Sequence, residues 1–332
     1  MASFCLNFKR GRKYLDVVDE IIIKYHPSEN LLNFLIEHKD QRVILDIEDK
    51  KNFFDTYGVE TLAAIKVNVD NPDNWVLRLP KILDNDLGLD EDEIDRLRKT
   101  SLPFFFNEYI DRWDILEGYL NLGVTDVYIV NELGFELDKI YEIAHKHNTK
   151  VRVFPNIAQS SWFLTPDLKK FFIRPEDIED YEKYVDVFEI FEAQEPVIAE
   201  TLYKVYAMDK QWFGRLEEII GDFHADLDGR FLHPRWVERR VKCGKKCLKG
   251  SMCDMCSTIA GLGESLEKVG IIVSKPKPEK EPKSEEEILE IAKKYENKDP
   301  ILSVHETLKS AATSVKSDLE KFLEEEAATP AE

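Results

Sequence analysis

Four of the five cysteines in this 332-residue chain lie in one short stretch. They follow the pattern C-x3-C-x5-C-x2-C, and the four residues are Cys243, Cys247, Cys253 and Cys256. Thiolates that converge on one point repel each other unless a cation neutralises them, and soft sulfur ligands select zinc or iron–sulfur clusters. The spacing therefore predicts a metal-binding loop, with two disulfides or four unligated thiols as the alternatives.

The pattern leaves the identity of the metal open between zinc and a 4Fe-4S cluster. A C-x2-C pair such as Cys253 and Cys256 is common to zinc ribbons and iron–sulfur sites, whereas the x3 and x5 gaps match neither standard zinc spacing. The first thirteen residues are polar and basic, without the apolar core of a secretory signal. Clustered cysteines without such a signal predict a cytoplasmic protein, where metal binding is favoured over disulfides.

The charge of the chain limits its partners. A net charge of −19 argues against broad nonspecific binding to nucleic acids or anionic membranes. No apolar run is long enough to span a bilayer, so no membrane partner is predicted. The segment 235–249 is a local exception, with seven basic side chains and one acid. This segment could contact RNA or a protein partner, or could balance the negative charge of a cluster.

Short apolar runs alternate with helical patterns along the first two thirds of the chain. This alternation predicts eight βα units and therefore an α/β fold, a (β/α)8 TIM-type barrel. The rival is an open doubly wound sheet, but no G-x-G-x-x-G turn follows any strand. Residues 1–13 are predicted to be a flexible lead-in. The predicted strands are 20–25, 42–47, 75–79, 102–107, 126–130, 150–156, 170–174 and 185–191.

Composition divides the chain into three parts. Residues 1–223 form the predicted barrel, 224–274 the basic four-cysteine segment, and 275–332 a charged linker with a flexible helical tail. Prolines and charges in 275–283 cannot bury a core. Apolar residues recur about every seven positions from Ile301 to Phe322, which predicts a coiled coil or docking helix; a solvated helix without a partner is the alternative.

Nearly every predicted strand ends in a polar or charged residue. Active sites of (β/α)8 barrels lie at the carboxyl ends of the strands, so these residues are the candidates for catalysis or substrate binding. The acids and asparagines could hold substrate or transfer protons, and the arginines could clamp an anion. The alternative is that strand ends lie near solvent and prefer polar residues. The candidates are Asp46, Arg78, Glu108, Asn131, Glu132, Arg174 and Glu189.

Parts of the chain resemble a known family. The runs 121–130 and 171–191, together with the Cys243-x3-Cys247 pair, are similar to stretches of the collagenase-like peptidases and their RNA- and quinone-hydroxylating relatives. The resemblance implies a TIM-type barrel with a four-cysteine iron–sulfur cluster, and hydroxylation or peptidase activity. The chain departs from the family at 155–162, which holds no cysteine, and at 188–192, where a Lys-Ile-Glu-Gly-Arg motif is expected.

Two functional hypotheses follow from these observations. The first is a cytoplasmic metal- or iron–sulfur-containing barrel enzyme that modifies RNA or a small aromatic substrate. The second is a non-catalytic interaction protein with a structural zinc site and a C-terminal helix that binds a partner. The sequence leaves open whether the protein is an enzyme.

Overall fold

The computed structural model describes part of the chain, all of it within Met1–Ser274, one of the two units into which the chain divides. The described residues are 2–7, 14–26, 29–48, 53–54, 58–59, 62, 74–80, 91–100, 102–161, 165, 167–191, 196–225, 227–231, 236–241, 243, 256 and 258. The predicted linker and tail helix at 275–332, together with Cys247 and Cys253, lie outside this set.

The described strands form one parallel sheet with the order β5-β4-β3-β2-β1-β9-β8-β7-β6. The strands are rich in β-branched and aromatic residues and almost entirely buried, which is typical of a parallel sheet covered by helices. Their bounds are β1 Ser3–Asn7, β2 Glu20–Lys24, β3 Arg42–Asp46, β4 Trp75–Leu79, β5 Phe104–Phe106, β6 Tyr109–Ile110, β7 Asp126–Ile129, β8 Lys150–Val153 and β9 Val187–Glu189.

Backbone pairing closes this sheet into a barrel. The first strand lies between the second and the last, with Cys5 opposite both Glu20 and Glu189. β5 and β6 are two pieces of one interrupted strand that runs along β7. The Thr125 N–H donates to the Phe104 carbonyl over 2.9 Å, and the Val130 N–H donates to the Ile110 carbonyl over 3.1 Å. With β5 and β6 counted together, the nine strands become eight, as in a TIM-type α/β barrel.

Helices occupy the connections between strands. In Leu137–Lys146, the apolar residues Leu137, Ile140 and Ala144 are buried, as expected for an amphipathic helix on a barrel. Gly123, at φ 77°, ends the preceding helix in the left-handed conformation that glycine adopts readily. No helix in the described ranges is both long and apolar enough to cross a membrane. The α-helices whose bounds lie within the described residues are α1 Glu29–Glu37, α2 Glu91–Thr100, α3 Trp113–Leu122, α4 Leu137–Lys146, α5 Ile178–Tyr181, α6 Pro196–Tyr203 and α7 Trp236–Arg240.

With β5 and β6 counted as one strand, the described residues contain eight strands, the predicted number, but two assignments were wrong. Ser3–Asn7 is a buried barrel strand, not part of a flexible lead-in. Residues 170–174 are not a strand: Phe171 forms only an isolated bridge with Gln159. The apolar phenylalanines of this run are buried by packing on other aromatic rings and not by strand pairing. Phe172, for example, packs on Trp236 with ring centroids 6.0 Å apart. The two errors offset each other in the count.

The sequence pattern of residues 212–223 predicts a further helix after the barrel, and this prediction is also wrong. In this segment only Leu216–Glu218 is helical, as a single 3-10 turn. Bridges from Arg215 to Asp228 and from Gly221 to Ile157 hold the remainder as an irregular, packed connection.

Candidate active site

The interior of the barrel is lined by charged side chains. Barrels of this type are usually filled by Val, Ile and Leu in layers. Because side chains alternate across a strand, the polar residues at every second position point to the same face, here the barrel interior. Charge pairing and burial identify the inward charged side chains as Glu20, Arg42, Asp46, Arg78, Asp126, Lys150, Arg152 and Glu189.

At the amino ends of the strands these charges form a closed network. Arg42 donates to both carboxylate oxygens of Asp126, with Nη1–Oδ1 at 2.8 Å and Nη2–Oδ2 at 2.5 Å. It also donates to Glu20 Oε1 over 3.0 Å, and Lys150 Nζ lies 3.3 Å from the same oxygen. Burial alone would raise the pKa of Asp126, but the neighbouring guanidinium of Arg42 lowers it to about 2. Asp126 is therefore ionised at neutral pH.

Arg152 connects this network to the carboxyl end of the barrel. Its side chain is 0% exposed and donates from Nη2 to Glu20. Its Nε lies 3.3 Å from Asp126 Oδ1, and its Nη1 lies 3.5 Å from Glu189 Oε2. The guanidinium also lies 5.3 Å from the centroid of the Phe105 ring. One arginine thus neutralises carboxylates at both ends of the interior.

A second cluster lies at the carboxyl ends of the strands, and we call its four residues Asp46, Arg78, Tyr128 and Glu189 the acid–base cluster. Arg78 binds Asp46 through two hydrogen bonds, Nε–Oδ1 at 2.9 Å and Nη2–Oδ2 at 2.8 Å. Its Nη1 lies 3.2 Å from the Tyr128 hydroxyl and 3.3 Å from Glu189 Oε1. The Tyr128 hydroxyl donates to Glu189 Oε2 over 2.7 Å.

Solvent reaches this cluster to a small extent, whereas the Arg152 side chain beneath it is fully buried. The side chains of Asp46, Arg78 and Glu189 are 11%, 10% and 8% exposed, whereas that of Arg152 is 0% exposed. A ligand could therefore approach the cluster from the carboxyl end, which is where barrels of this type carry their active sites.

The carboxyl group of Glu189 is poised for proton transfer. Burial raises its pKa above the ordinary glutamate value of 4.5, although Arg78 and Arg152 oppose that effect. Burial also raises the pKa of Tyr128, so the phenol stays protonated. A carboxyl group with a raised pKa, in contact with a phenolic O–H, can take up and release a proton closer to neutral pH.

The pairing of the described strands shows an α/β fold of the TIM type. No known protein family and no curated protein matches its sequence. Among solved structures, tryptophan synthase from M. tuberculosis is similar with 9% identity and a TM-score of 0.36, over 61% of this chain and 86% of that chain. A mutant tryptophan synthase alpha-subunit from Pyrococcus furiosus is similar with 9% identity and a TM-score of 0.36, over 63% and 94%. Similarity at this level carries no argument about activity.

The structure brings together three of the seven predicted site residues, namely Asp46, Arg78 and Glu189. Three others have partners elsewhere. Glu108 accepts a hydrogen bond from the Tyr119 hydroxyl, and Glu132 accepts one from Ser160 Oγ over 2.9 Å. Asn131 has a positive φ of 52° and donates its backbone N–H to Gln159 over 3.3 Å. These contacts fix the loops that follow the strands.

Arg174, a predicted anion clamp, is buried and its donors are already engaged. It donates to Asp177 through Nε–Oδ2 at 2.6 Å and Nη2–Oδ1 at 2.5 Å. Its Nη1 donates to the Gly229 carbonyl over 2.5 Å. Each of its three nitrogens thus donates to a described residue, and the side chain links two segments of the chain.

Sequence reasoning missed Tyr128 and Arg152. Both lie inside strands, whereas the predicted site residues lie at strand ends or just after them. A usable signal is present in the runs Asp126-Val-Tyr-Ile and Lys150-Val-Arg-Val, where polar and apolar residues alternate. Since both faces of a covered parallel strand are usually apolar, such alternation indicates a polar barrel interior.

An aromatic wall leads from the acid–base cluster to the surface. The ring of Tyr128 stacks on Phe154 with centroids 5.2 Å apart and an interplanar angle of 7°. Phe154 in turn meets Tyr109 and Phe191 edge-on, each at 5.3 Å. Tyr109 is 49% exposed. Flat apolar faces beside a proton-transferring group suit a planar ligand.

Two of the four clustered cysteines lie in the described part of the chain. Cys243 is half-buried, Cys256 is buried, and neither is part of a disulfide. Within the described residues no group of three or more His, Cys, Asp or Glu could hold a metal ion, and the predicted ligands Cys247 and Cys253 are outside them. Both described thiols are close enough to Arg240 to act on its charge.

The position of Arg240 places these thiols at the carboxyl end of the barrel. Its guanidinium lies 4.9 Å from the ring centroid of Phe135, which follows β7, and 4.5 Å from that of Phe172, which follows β8. Segments that follow strands begin at the carboxyl end of a barrel. Arg240, and Cys243 whose backbone N–H donates to the Arg240 carbonyl over 3.0 Å, therefore lie at the same end as the acid–base cluster.

Proposed function

We propose that this barrel protein is an enzyme that transfers protons to and from a small substrate at the carboxyl end of its barrel. The observation that carries the proposal is the buried 2.7 Å hydrogen bond between Tyr128 and Glu189, in a cluster that solvent reaches from this end. General acid–base catalysis uses a carboxyl group whose pKa is raised toward the working pH, and the pKa of Glu189 is raised.

Each residue of the cluster has a role in this proposal. Glu189 accepts a proton from the substrate as carboxylate and returns it as carboxylic acid. The Tyr128 hydroxyl orients the carboxylate and stabilises its charged form. Arg78 makes contacts with all three of its nitrogens, so it positions Tyr128 and Glu189 rather than binding a substrate anion. Asp46 fixes Arg78 by two parallel hydrogen bonds.

Exchange of substrate hydrogen for solvent deuterium tests the proposal without knowledge of the substrate. We would incubate the protein in D2O with 2-oxo acids, amino acids, sugar phosphates, a quinone headgroup analogue and short RNA, and follow exchange by NMR. Glu189→Gln is expected to lower the exchange rate of a responsive compound by about 10²–10⁴-fold, as expected for loss of a general base. Glu179→Gln, at an exposed position on α5, should leave that rate unchanged. Full exchange in Glu189→Gln would refute the role of Glu189.

We further propose that Cys243, Cys247, Cys253 and Cys256 bind an iron–sulfur cluster or a zinc ion. The reduced thiols of Cys243 and Cys256 beside Arg240 favour this over two disulfides, and the family resemblance favours iron. When bound, a cluster supplies electron transfer and a zinc ion stabilises the segment. Metal analysis of oxygen-free protein should find about four iron atoms or about one zinc ion per chain, and Cys256→Ala should abolish this. Wild-type protein without either metal contradicts the proposal.

The remaining functional expectations stay predictions. RNA or quinone modification is implied by the resemblance alone, and the partner helix lies outside the described residues. Of the basic residues in 235–249, Arg240 is buried, so any contact with RNA or a protein partner would involve the other six. A folded, zinc-containing protein that exchanges none of the compounds would favour the non-catalytic interaction protein.

A further inference from the structure

Asn156, which follows β8, is a buried amide that binds the main chain just after β9. The residue is 5% exposed. Its Oδ1 accepts the Phe191 N–H over 2.7 Å, and its Nδ2 donates to the Phe191 carbonyl over 3.3 Å. The main-chain carbonyl of Asn156 accepts the Gly221 N–H over 2.9 Å. One side chain therefore binds both polar main-chain groups of Phe191 and is itself held by a third segment.

These hydrogen bonds continue the pairing of β8 with β9 past the ends of the two strands. The register of the strands ends with Val153 opposite Phe188. Carried forward, it places Asn156 opposite Phe191. Pro155 has no N–H, so the main chain at this position cannot donate to the neighbouring strand. The amide of Asn156 supplies a donor and an acceptor where the main chain lacks a donor.

Glu189, the proton-transferring group of the acid–base cluster, lies within the segment that is held in this way. Phe188, directly before it, is paired with β8. Ile190, directly after it, donates its N–H to a carbonyl of β1 over 3.3 Å. Asn156 holds the next residue, Phe191. The main chain that carries Glu189 is thus fixed on both sides of that residue.

The same hydrogen bonds act on the phenol of Tyr128 through packed rings. The Phe191 ring meets Phe154 edge-on with centroids 5.3 Å apart, and Phe154 stacks on Tyr128 at 5.2 Å. The Tyr128 hydroxyl in turn donates to Glu189 over 2.7 Å. Contacts therefore lead from Asn156 to both members of this hydrogen-bonded pair, to one through the main chain and to the other through the rings.

We infer that Asn156 is a positioning residue that holds Glu189 and Tyr128 in their hydrogen-bonded geometry. This inference rests on the proposed function, in which Glu189 transfers the proton. Loss of the amide removes two hydrogen bonds from Phe191 and loosens the segment that carries Glu189. Proton transfer depends on exact placement, and a displacement of about 1 Å can lower a rate about 10²-fold.

An NMR titration of the Glu189 carboxyl carbon tests this inference without a substrate. The full-length chain is labelled with ¹³C at the glutamate carboxyl groups, and Glu189→Gln identifies the signal. Burial raises the pKa of this group, and contacts with Arg78, Arg152 and Tyr128 oppose that rise. These contacts weaken when the segment loosens, so Asn156→Leu should raise the pKa of Glu189 further. An unchanged or lower pKa of Glu189 in folded Asn156→Leu overturns the inference.

Gln41→Leu is the matched control, because Gln41 is an amide with a similar role at the opposite end of the barrel. It lies directly before β3, and its Nε2 donates to the Leu15 and Val18 carbonyls, each over 2.6 Å. Its loss should destabilise the fold about as much as Asn156→Leu does in urea unfolding. It should leave the pKa of Glu189 unchanged.

The deuterium-exchange assay separates this inference from the proposed function. For a compound that exchanges with wild type, Asn156→Leu should lower the rate about 10²-fold, and Gln41→Leu should not change it. A wild-type rate in Asn156→Leu, together with a lost rate in Glu189→Gln, overturns this inference alone. A wild-type rate in Glu189→Gln overturns the proposed function, and the NMR titration then decides whether Asn156 positions Glu189. If Asn156→Leu does not fold, Asn156→Ser, whose hydroxyl cannot span both main-chain groups of Phe191, replaces it with the same expected results.

Discussion

Replacing Arg152 by methionine is expected to lower the free energy of unfolding by about 3–5 kcal/mol, the range for removal of one partner from a buried ion network. Methionine fills much of the same volume but removes one of the two arginines that Glu20 and Asp126 share, and only Arg42 remains between them. Both carboxylates are 0–1% exposed, so water cannot take over that role. Urea unfolding at pH 7, followed by far-UV circular dichroism, measures the difference.

An exposed arginine gives the matched control for this substitution. Arg98 on α2 lies 3.5 Å from Asp95, with side chains that are 47% and 61% exposed. Surface pairs of this kind contribute between 0 and about 1 kcal/mol, so Arg98→Met should change stability little. If Arg152→Met and Arg98→Met were equally stable, the interior network would not be needed to hold the barrel together.

The barrel could be predicted from the sequence because its pattern is repeated. Each unit combines a buried apolar strand with an amphipathic helix, and a local error in one unit leaves the others intact. The wrong strand assignments lie where the local pattern of apolar residues does not match the pairing of strands in the folded protein. Phe171 and Phe172 are as apolar as any strand, but they are buried by aromatic packing. Ser3–Asn7 is short and followed by basic residues, and only its pairing with β2 and β9 identifies it as a strand.

The candidate site could be predicted only in part, for a related reason. Asp46, Arg78 and Glu189 lie near the carboxyl ends of their strands, where the rule for barrel active sites places functional residues. Their contacts with Tyr128 and Arg152 depend on which inward-pointing side chains lie at the same level along the barrel axis. Strand register sets that level: Asp46 lies opposite Arg78, and Tyr128 lies opposite Arg152. Register is a property of paired strands and cannot be obtained from one strand alone.

Acid titration should separate the two ends of the barrel interior, and Asp126→Asn is the variant that shows it. The pKa of Asp126 is about 2 in the folded protein and 3.8 ordinarily. A carboxylate whose pKa is lowered by folding stabilises the folded state when the pH is above its pKa in the unfolded chain. This stabilisation is lost as the pH falls through its pKa in the folded protein. Wild-type stability should therefore decline between about pH 4 and pH 2 by about 2 kcal/mol from this group. Asp126→Asn should have a lower free energy of unfolding than wild type at neutral pH and should not show that decline in acid.

Glu189 must show the opposite sign in the same measurement. Its pKa is raised above 4.5, so the folded state holds its proton more tightly than the unfolded chain. Glu189 therefore stabilises the folded state below pH 4.5, and this stabilisation is lost as the pH rises through the pKa of Glu189 in the folded protein. In wild type the free energy of unfolding should decline for this reason above pH 4.5, and Glu189→Gln should remove that decline. Urea unfolding from about pH 2.5 to about pH 8 would resolve both effects, with Asp95→Asn as the exposed control. If the free energy of unfolding changed with pH in the same way for wild type and Asp126→Asn, the ion pair with Arg42 would not hold the Asp126 carboxylate ionised. If instead the Asp126 and Glu189 contributions changed with pH in opposite directions, the barrel interior would carry a fixed charge at its amino end and a proton that can be exchanged at its carboxyl end.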